Sequence, residues 1–290
     1  MSVAIVGSGA VAGLLASWLI DTPLLCARTP VDAFLLTGDG NGNGGTDTRT
    51  IPVHVVATPA EARPVDWVLL TVKAQDTPST QPWLDALVGP DTVVVVLQNG
   101  VDHVERVQPL VGDAQILPAL VFASAERTGP GAVTHYVGTM LIVPESPAAQ
   151  RFAELLSAAV LVRQDPDFRT AAWRKLMVNI GSNPITALTM RRSEVLHLPE
   201  IQDLCRLLLQ ETVAVGAAVG AKLEESDVDK VLGMYQGYPQ GNGTSMYYDR
   251  MAGRPLEHEL MSGAVVRAAA KHHIPVPANQ VIWALTRTCR

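Results

Sequence analysis

Lys175, Asn179 and Asn183 stand four residues apart. On an α-helix that spacing forms one polar stripe, with Leu176, Val178 and Ile180 facing elsewhere. One ammonium and two amides suit a small substrate that carries a carbonyl and a carboxylate. The ammonium can steady developing negative charge, and the amides can fix orientation. The same spacing also describes an exposed polar face with no ligand. Pro184 follows at once. It removes a helix hydrogen bond and predicts a disturbance of the helix beside Asn183.

Three further stretches hold polar residues of interest. Lys73 lies just beyond an apolar strand-like run, and Gln98-Asn99-Gly100 follows the next such run. In open α/β sheets, ligands bind outside the carboxyl ends of strands, which is where both would sit. Ordinary polar loops would look the same. Asn242-Gly243-Thr244-Ser245-Met246 precedes Arg254-Pro255-Leu256-Glu257, which reads as a helix start with Pro255 early and Glu257 in the first turn. Glu257 is thus a site candidate and equally a helix-stabilising acid.

The N-terminus holds Gly7-Ser8-Gly9-Ala10-Val11-Ala12-Gly13, a G-x-G-x-x-G run between a predicted strand and a predicted helix. In that context Gly7 permits the tight turn, Gly9 lets backbone approach a pyrophosphate, and Gly13 allows close packing. The helix start adds free N–H groups and partial positive charge. At the end of the second strand, where an NAD site usually carries an acid, the chain reads Cys26-Ala27-Arg28-Thr29. Arg28 can pair with a 2′-phosphate, so NADP(H) is the expected cofactor; a solvated loop arginine is the bland alternative.

These residues need a scaffold, and the chain alternates strand and helix signals to supply one. Strands are expected at Ser2–Gly7, Pro23–Cys26, Ile51–Ala57, Asp66–Val72 and Thr92–Leu97, with a helix at Ala10–Ile20. Such alternation predicts a doubly wound α/β domain with a parallel sheet. Further strands are expected at Gln115–Ala123, Ala132–Val137 and Thr139–Val143, with a turn at Glu126–Gly131 making an antiparallel addition. Residues 37–50, rich in Gly, Asn, Asp and Thr, read as a loop at an edge of the domain that composition alone would leave mobile. Past Asp165-Pro166-Asp167 only helical periods remain. The expected division is 1–165, a Rossmann-type NADP-binding domain, and 166–290, an all-helical substrate and catalytic domain.

Length and composition agree with that division. At 290 residues the chain suggests about two domains. Its 48% hydrophobic and 17% charged residues exclude a disordered or coiled-coil chain. A net charge of −6 argues against a nucleic-acid partner. Three scattered cysteines make neither a disulfide framework nor a zinc site, so no metal is expected and a reducing, cytoplasmic compartment is. The apolar run Val3–Ile20 is long enough for a signal peptide or membrane span, but no basic residue precedes it and glycines punctuate it. No membrane partner is expected.

Taken together, the chain resembles the ketopantoate reductase (2-dehydropantoate 2-reductase) family over essentially its whole length. The match runs through the glycine motif, Lys73, Gln98-Asn99-Gly100, Trp173-Arg174-Lys175, Asn179, Asn183-Pro184, Asn242, Thr244-Ser245-Met246 and Gly253-Arg254-Pro255 with Glu257. It ends with Gly263-Ala264-Val265-Val266 and His273-Ile274-Pro275. The resemblance implies a Rossmann domain, a C-terminal domain like that of 6-phosphogluconate dehydrogenase, and an active site in the cleft between them. It makes Lys175 the catalytic proton donor. Asn179, Asn183 and Ser245 become substrate-holding residues, and Asn99 is set near nicotinamide and substrate. Lys73 falls on the cofactor side, and Arg28 at the NADP phosphate. Asn242 and Glu257 line the substrate and nicotinamide-ribose region. The implied activity is NADPH-dependent reduction of ketopantoate to (R)-pantoate in pantothenate biosynthesis, with a homodimer as the candidate assembly. The alternatives are a reductase of a related 2-keto acid or opine-type substrate, which a substrate panel separates, and a non-enzymatic NADP sensor, against which turnover would decide.

Overall fold

The computed structural model describes residues 1–29, 31–42, 45–239 and 241–289. Asn43 and Gly44 of the glycine-asparagine run, and Arg290 of the C-terminal domain, lie outside the described residues. The chain forms two compact units. One comprises 1–98 and 102–168, the other 99–101 and 169–290.

In the first unit the strands are β1 (Val3–Val6), β2 (Leu24–Cys26), β3 (Ala33–Thr37), β4 (Thr48–Pro52), β5 (His54–Val56), β6 (Val65–Leu70), β7 (Val88–Val96), β8 (Gln115–Pro118), β9 (Leu120–Gly129), β10 (Ala132–Pro144) and β11 (Leu161–Asp165). Its helices are α1 (Ala10–Trp18), α2 (Gln81–Leu87), α3 (His103–Val111) and α4 (Pro147–Glu154). Six strands make a parallel sheet in the order β5-β2-β1-β6-β7-β8. Counted along the chain, that is the 3-2-1-4-5-6 order of dinucleotide-binding sheets, and its reversal falls between β1 and β6. The runs Val3–Val6, Trp67–Leu70 and Val93–Val96 are buried throughout, as a sheet covered on both faces requires.

A second sheet, β11-β10-β3-β4 with β9 paired to β10, lies beyond α1. Here the structure corrects several expectations. The stretch 37–50 is only partly loop: Thr37 closes β3, Thr48–Thr50 belong to β4, and the two strands pair antiparallel. Polar composition hid a hairpin whose outer strand faces solvent. The connecting residues are tied down, since Gly42 N–H donates to Tyr136 O at 3.1 Å and Gly138 N–H to Gly40 O at 2.8 Å. Gly40 has φ +79 and lies against the His135 ring, where a Cβ would not fit. The expected strand 51–57 breaks at Val53 into β4 and β5. The expected strand 115–123 splits at Ala119, so β8 joins the parallel sheet and β9 the second one. Conversely, 132–137 and 139–143 are one strand, β10, irregular near Gly138. The turn before it shrinks to Pro130-Gly131.

The second unit is helical: α5 (Phe168–Thr189), α6 (Pro199–Ala218), α7 (Glu225–Gln236), α8 (Ser245–Met251), α9 (Ser262–Lys271) and α10 (Pro277–Arg287). Its core joins Trp173, Leu176 and Ile180 of α5 to Leu208 and Leu209 of α6, Tyr235 of α7 and Val265 of α9, with Val101 packed against it. Helix α5 is buried on most sides and runs through Pro184 to Thr189. Gly181 admits the Tyr235 hydroxyl against the α5 backbone, where a Cβ would not fit. The helix start expected at Pro255 is absent: residues 253–257 are irregular, His258–Leu260 make a 3₁₀ turn, and α9 begins only at Ser262. Helix α8 carried no clear local signal. Among the described residues, no helix is long and apolar enough to cross a membrane; Val3–Ile20 instead folds as β1, the glycine turn and α1.

Candidate active site

In the first unit the glycine turn after β1 lies at the sheet's switch point. Gly7 ends β1 with φ +120, and a Cβ there would lie 2.8 Å from Thr71 Oγ1, so its side is closed by the turn after β6. Thr71 fixes that turn by donating its N–H and its hydroxyl to Val6 O, each at 3.0 Å. Gly9 is different. No atom lies within 4 Å of where its Cβ would be, and as N-cap of α1 it offers no side chain to the first-turn N–H groups. No acid stands in that turn. Ser8, Ala10 and Val11 complete the turn around it. An open backbone at an uncapped helix start fits a pyrophosphate. Gly13 is closed again, since a Cβ would come within 2.8 Å of Val133 Cγ2 and 3.1 Å of Phe34 Cδ1. Its packing partner is therefore the second sheet.

Arg28 is exposed two residues past β2, and Lys73 is half-buried three residues past β6, just before the 3₁₀ turn Ala74–Thr80. Gln98 is buried. Its amide donates to Val72 O and to Thr77 Oγ1, both at 2.9 Å, and its Oε1 accepts from Arg106 at 3.1 Å. It ties the loop after β7 to the loop after β6. Glutamine after a strand was visible in the sequence, but its structural task was not.

The second unit gathers most of the remaining candidates. Lys175, Asn179 and Asn183 do form one stripe on α5, the first two half-buried and Asn183 buried. Asn99 Nδ2 donates to Glu257 Oε2 at 3.0 Å. Glu257 is 3% exposed. It makes no capping hydrogen bond to the 3₁₀ turn that follows, so the helix-stabilising alternative fails on geometry. Burial lowers the Lys175 pKa to about 8, against the opposing pull of the Glu257 charge. An amine poised there is well matched to proton transfer near neutral pH.

One to two turns along α5, Asn183 Nδ2 donates to Ser245 Oγ at 3.3 Å. Ser245 is the exposed first residue of α8. Because the amide donates, the serine proton is free to point at an anion. Asn242 is half-buried, and its carbonyl accepts from Ser193 N–H at 2.9 Å and Ser193 Oγ at 2.6 Å. Arg192 donates to Gly241 O at 2.6 Å. The 192–193 segment thus anchors the loop before α8, a role no local pattern announced. Thr186 and Thr244, whose hydroxyls lie 2.7 Å apart, were also missed. Extending the α5 stripe by three more residues would have reached Thr186. Among the described residues, no group of three or more His, Cys, Asp or Glu is placed to hold a metal ion.

Residues 3–146 match the family model described as ketopantoate reductase PanE/ApbA, and residues 167–290 match its C-terminal counterpart. A 2-dehydropantoate 2-reductase of Mycobacterium tuberculosis is 41% identical over 285 residues, covering 97% of this chain and 95% of that protein. One from Caulobacter vibrioides is 37% identical, covering 98% and 97%. Among solved structures, a dimeric ketopantoate reductase from Staphylococcus aureus is 29% identical, with a TM-score of 0.86 over 99% of this chain and 98% of its own.

Proposed function

Because the chain belongs to the ketopantoate reductase family of nicotinamide-dependent oxidoreductases, we propose that it reduces ketopantoate to (R)-pantoate with NADPH, as a step of pantothenate biosynthesis in the cytoplasm. The observation that carries this reading is Lys175. It is a desolvated amine with a pKa near 8, beside the Glu257 carboxylate and on the helix stripe that leads to Asn183 and Ser245.

In this reading residues 1–165 hold the cofactor. Gly7, Ser8, Gly9, Ala10, Val11 and Gly13 hold its pyrophosphate, Lys73 lies on its side, and Arg28 pairs with the 2′-phosphate. Bound NADPH supplies the hydride to the keto carbon. Residues 166–290, with Asn99, do the rest. Ser245 donates its hydroxyl to the substrate carboxylate, while Asn179 and Asn183 orient the acid and Asn242 lines the pocket. Lys175 steadies the negative charge that builds on the keto oxygen and passes its proton there. Glu257 keeps that lysine charged and reaches the nicotinamide ribose, and Asn99 holds the carboxylate in place. Transition-state charge is met by a group already in position, which avoids the cost of reorganising solvent. The S. aureus relative is dimeric, and we extend a homodimer to this chain.

The test is turnover. Purified protein should consume NADPH with ketopantoate and yield (R)-pantoate, with the highest kcat/KM for this acid among branched 2-keto acids. Binding of NADPH with no turnover of any keto acid would overturn the reading in favour of a sensor.

A further inference from the structure

We propose that Thr186 is a positioning residue for substrate binding, acting through Thr244 to set the place and hydrogen-bonding direction of Ser245. The proposal rests on the reading of Ser245 as the carboxylate donor.

Ser245 needs such help. Its contact with Asn183 Nδ2 is 3.3 Å, at the long end for a hydrogen bond, and the residue is exposed. Its neighbour Thr244 is held far more firmly. Thr244 Oγ1 lies 2.7 Å from Thr186 Oγ1 and accepts the Tyr247 N–H at 3.2 Å. Thr186 is fully buried on α5.

The proton positions in this pair are determined by valence. Thr186 Oγ1 stands 3.1 Å from Ser182 O and 3.1 Å from Asn183 O. Carbonyl oxygens only accept, so the single Thr186 proton is directed to them. Thr244 must then donate across the 2.7 Å gap, and its lone pair takes the Tyr247 N–H. Each hydroxyl donates once and accepts once, from the first turn of α8 into the backbone of α5. Such a chain is directional and reinforces itself in a buried setting. It clamps the residue before Ser245, while Met246, fully buried, clamps the residue after. Gly243 completes the fit, because a Cβ there would strike the Tyr247 ring. Ser245 is left with its main chain fixed on both sides and its hydroxyl exposed.

The experiment compares Thr186→Val, which keeps shape and removes the hydroxyl, with Thr186→Ser, which keeps the hydroxyl. Keto-acid KM, kcat, NADPH affinity and melting temperature are measured in the full-length protein, with Ser245→Ala alongside. Thr186→Val should raise the keto-acid KM roughly tenfold, the scale of one misplaced hydrogen bond to a charged group. Its kcat should stay within about twofold and its NADPH affinity unchanged, and Thr186→Ser should restore KM. Thr244→Val, which also removes the Tyr247 N–H cap, should raise KM at least as much, and the double variant should be no worse than Thr244→Val, because the shared bond is already lost. A raised KM in Ser245→Ala with none in Thr186→Val or Thr244→Val overturns the positioning role alone. No effect in Ser245→Ala overturns the carboxylate reading and this inference with it. Should Thr186→Val not fold, Thr244→Val carries the same comparison. A raised KM that Thr186→Ser fails to restore, growing as the melting temperature drops, reduces Thr186 to a packing residue.

Discussion

Asn99 and Glu257, 158 residues apart in the chain, share a 3.0 Å hydrogen bond in which the amide donates to the carboxylate. The bond orients the buried Glu257 side chain, whose charge acts on Lys175. Replacing Asn99 with Asp would set two carboxylates against each other, and like charges at that range disfavour ionisation of one of them. Asn99→Asp should lower kcat by at least tenfold, while Asn99→Ala, which only removes a donor, should cost less. Steady-state kinetics of the two variants check the order.

Lys175 must be protonated to give up a proton. With a pKa of about 8, the activity limb should fall as pH rises through that value. Glu257 pulls this pKa upward, so Glu257→Gln should shift the falling limb to lower pH. A kcat/KM profile with the limb unmoved would detach Glu257 from the lysine. Lys175→Ala should lose at least ~100-fold in kcat, the low end of general acid contributions, with NADPH affinity kept.

Arg28 should discriminate between cofactors. A charged hydrogen-bond contact contributes about 1.5–3 kcal/mol, so Arg28→Ala should weaken NADPH by about ten- to more than a hundredfold and NADH far less. Titration with both cofactors measures the difference. Equal losses would return Arg28 to the role of a solvated loop residue.

Two of the motif glycines, Gly9 and Gly13, should respond differently. Gly9 faces open space, so Gly9→Ala should leave melting temperature nearly unchanged and still impair cofactor binding, because the methyl occupies the approach to the backbone. At Gly13 a Cβ meets Val133 Cγ2 at 2.8 Å, so Gly13→Ala should cost about 1–3 kcal/mol by overpacking. Thermal unfolding without cofactor separates the two.

Features written in local spacing were legible from the sequence. The glycine turn between β1 and α1 and the 175/179/183 stripe are fixed by periods of one helix or one turn. So is the change from alternating strands to helices near residue 165. Features that depend on distant partners were not. Nothing near Glu257 shows that Asn99 will meet it, so a first-turn helical acid was an equal reading. The β3–β4 hairpin was hidden because an exposed strand tolerates Thr and Arg, which blend into the glycine-rich loop. The 13-residue β10 read as two strands because Gly138, with φ +89, interrupts its alternation.

By packing, Asn99–Val101 belong with residues 169–290 rather than with their sequence neighbours. This matters for recombination among relatives. A crossover at residue 168 would inherit Asn99 from one parent and Glu257 from the other, so chimeras would mate an amide and a carboxylate with no shared ancestry. A functional exchange has to transplant three residues from the far side of the junction together with the C-terminal half. A library built on the linear boundary alone would be enriched in proteins that fold and bind cofactor yet turn over slowly.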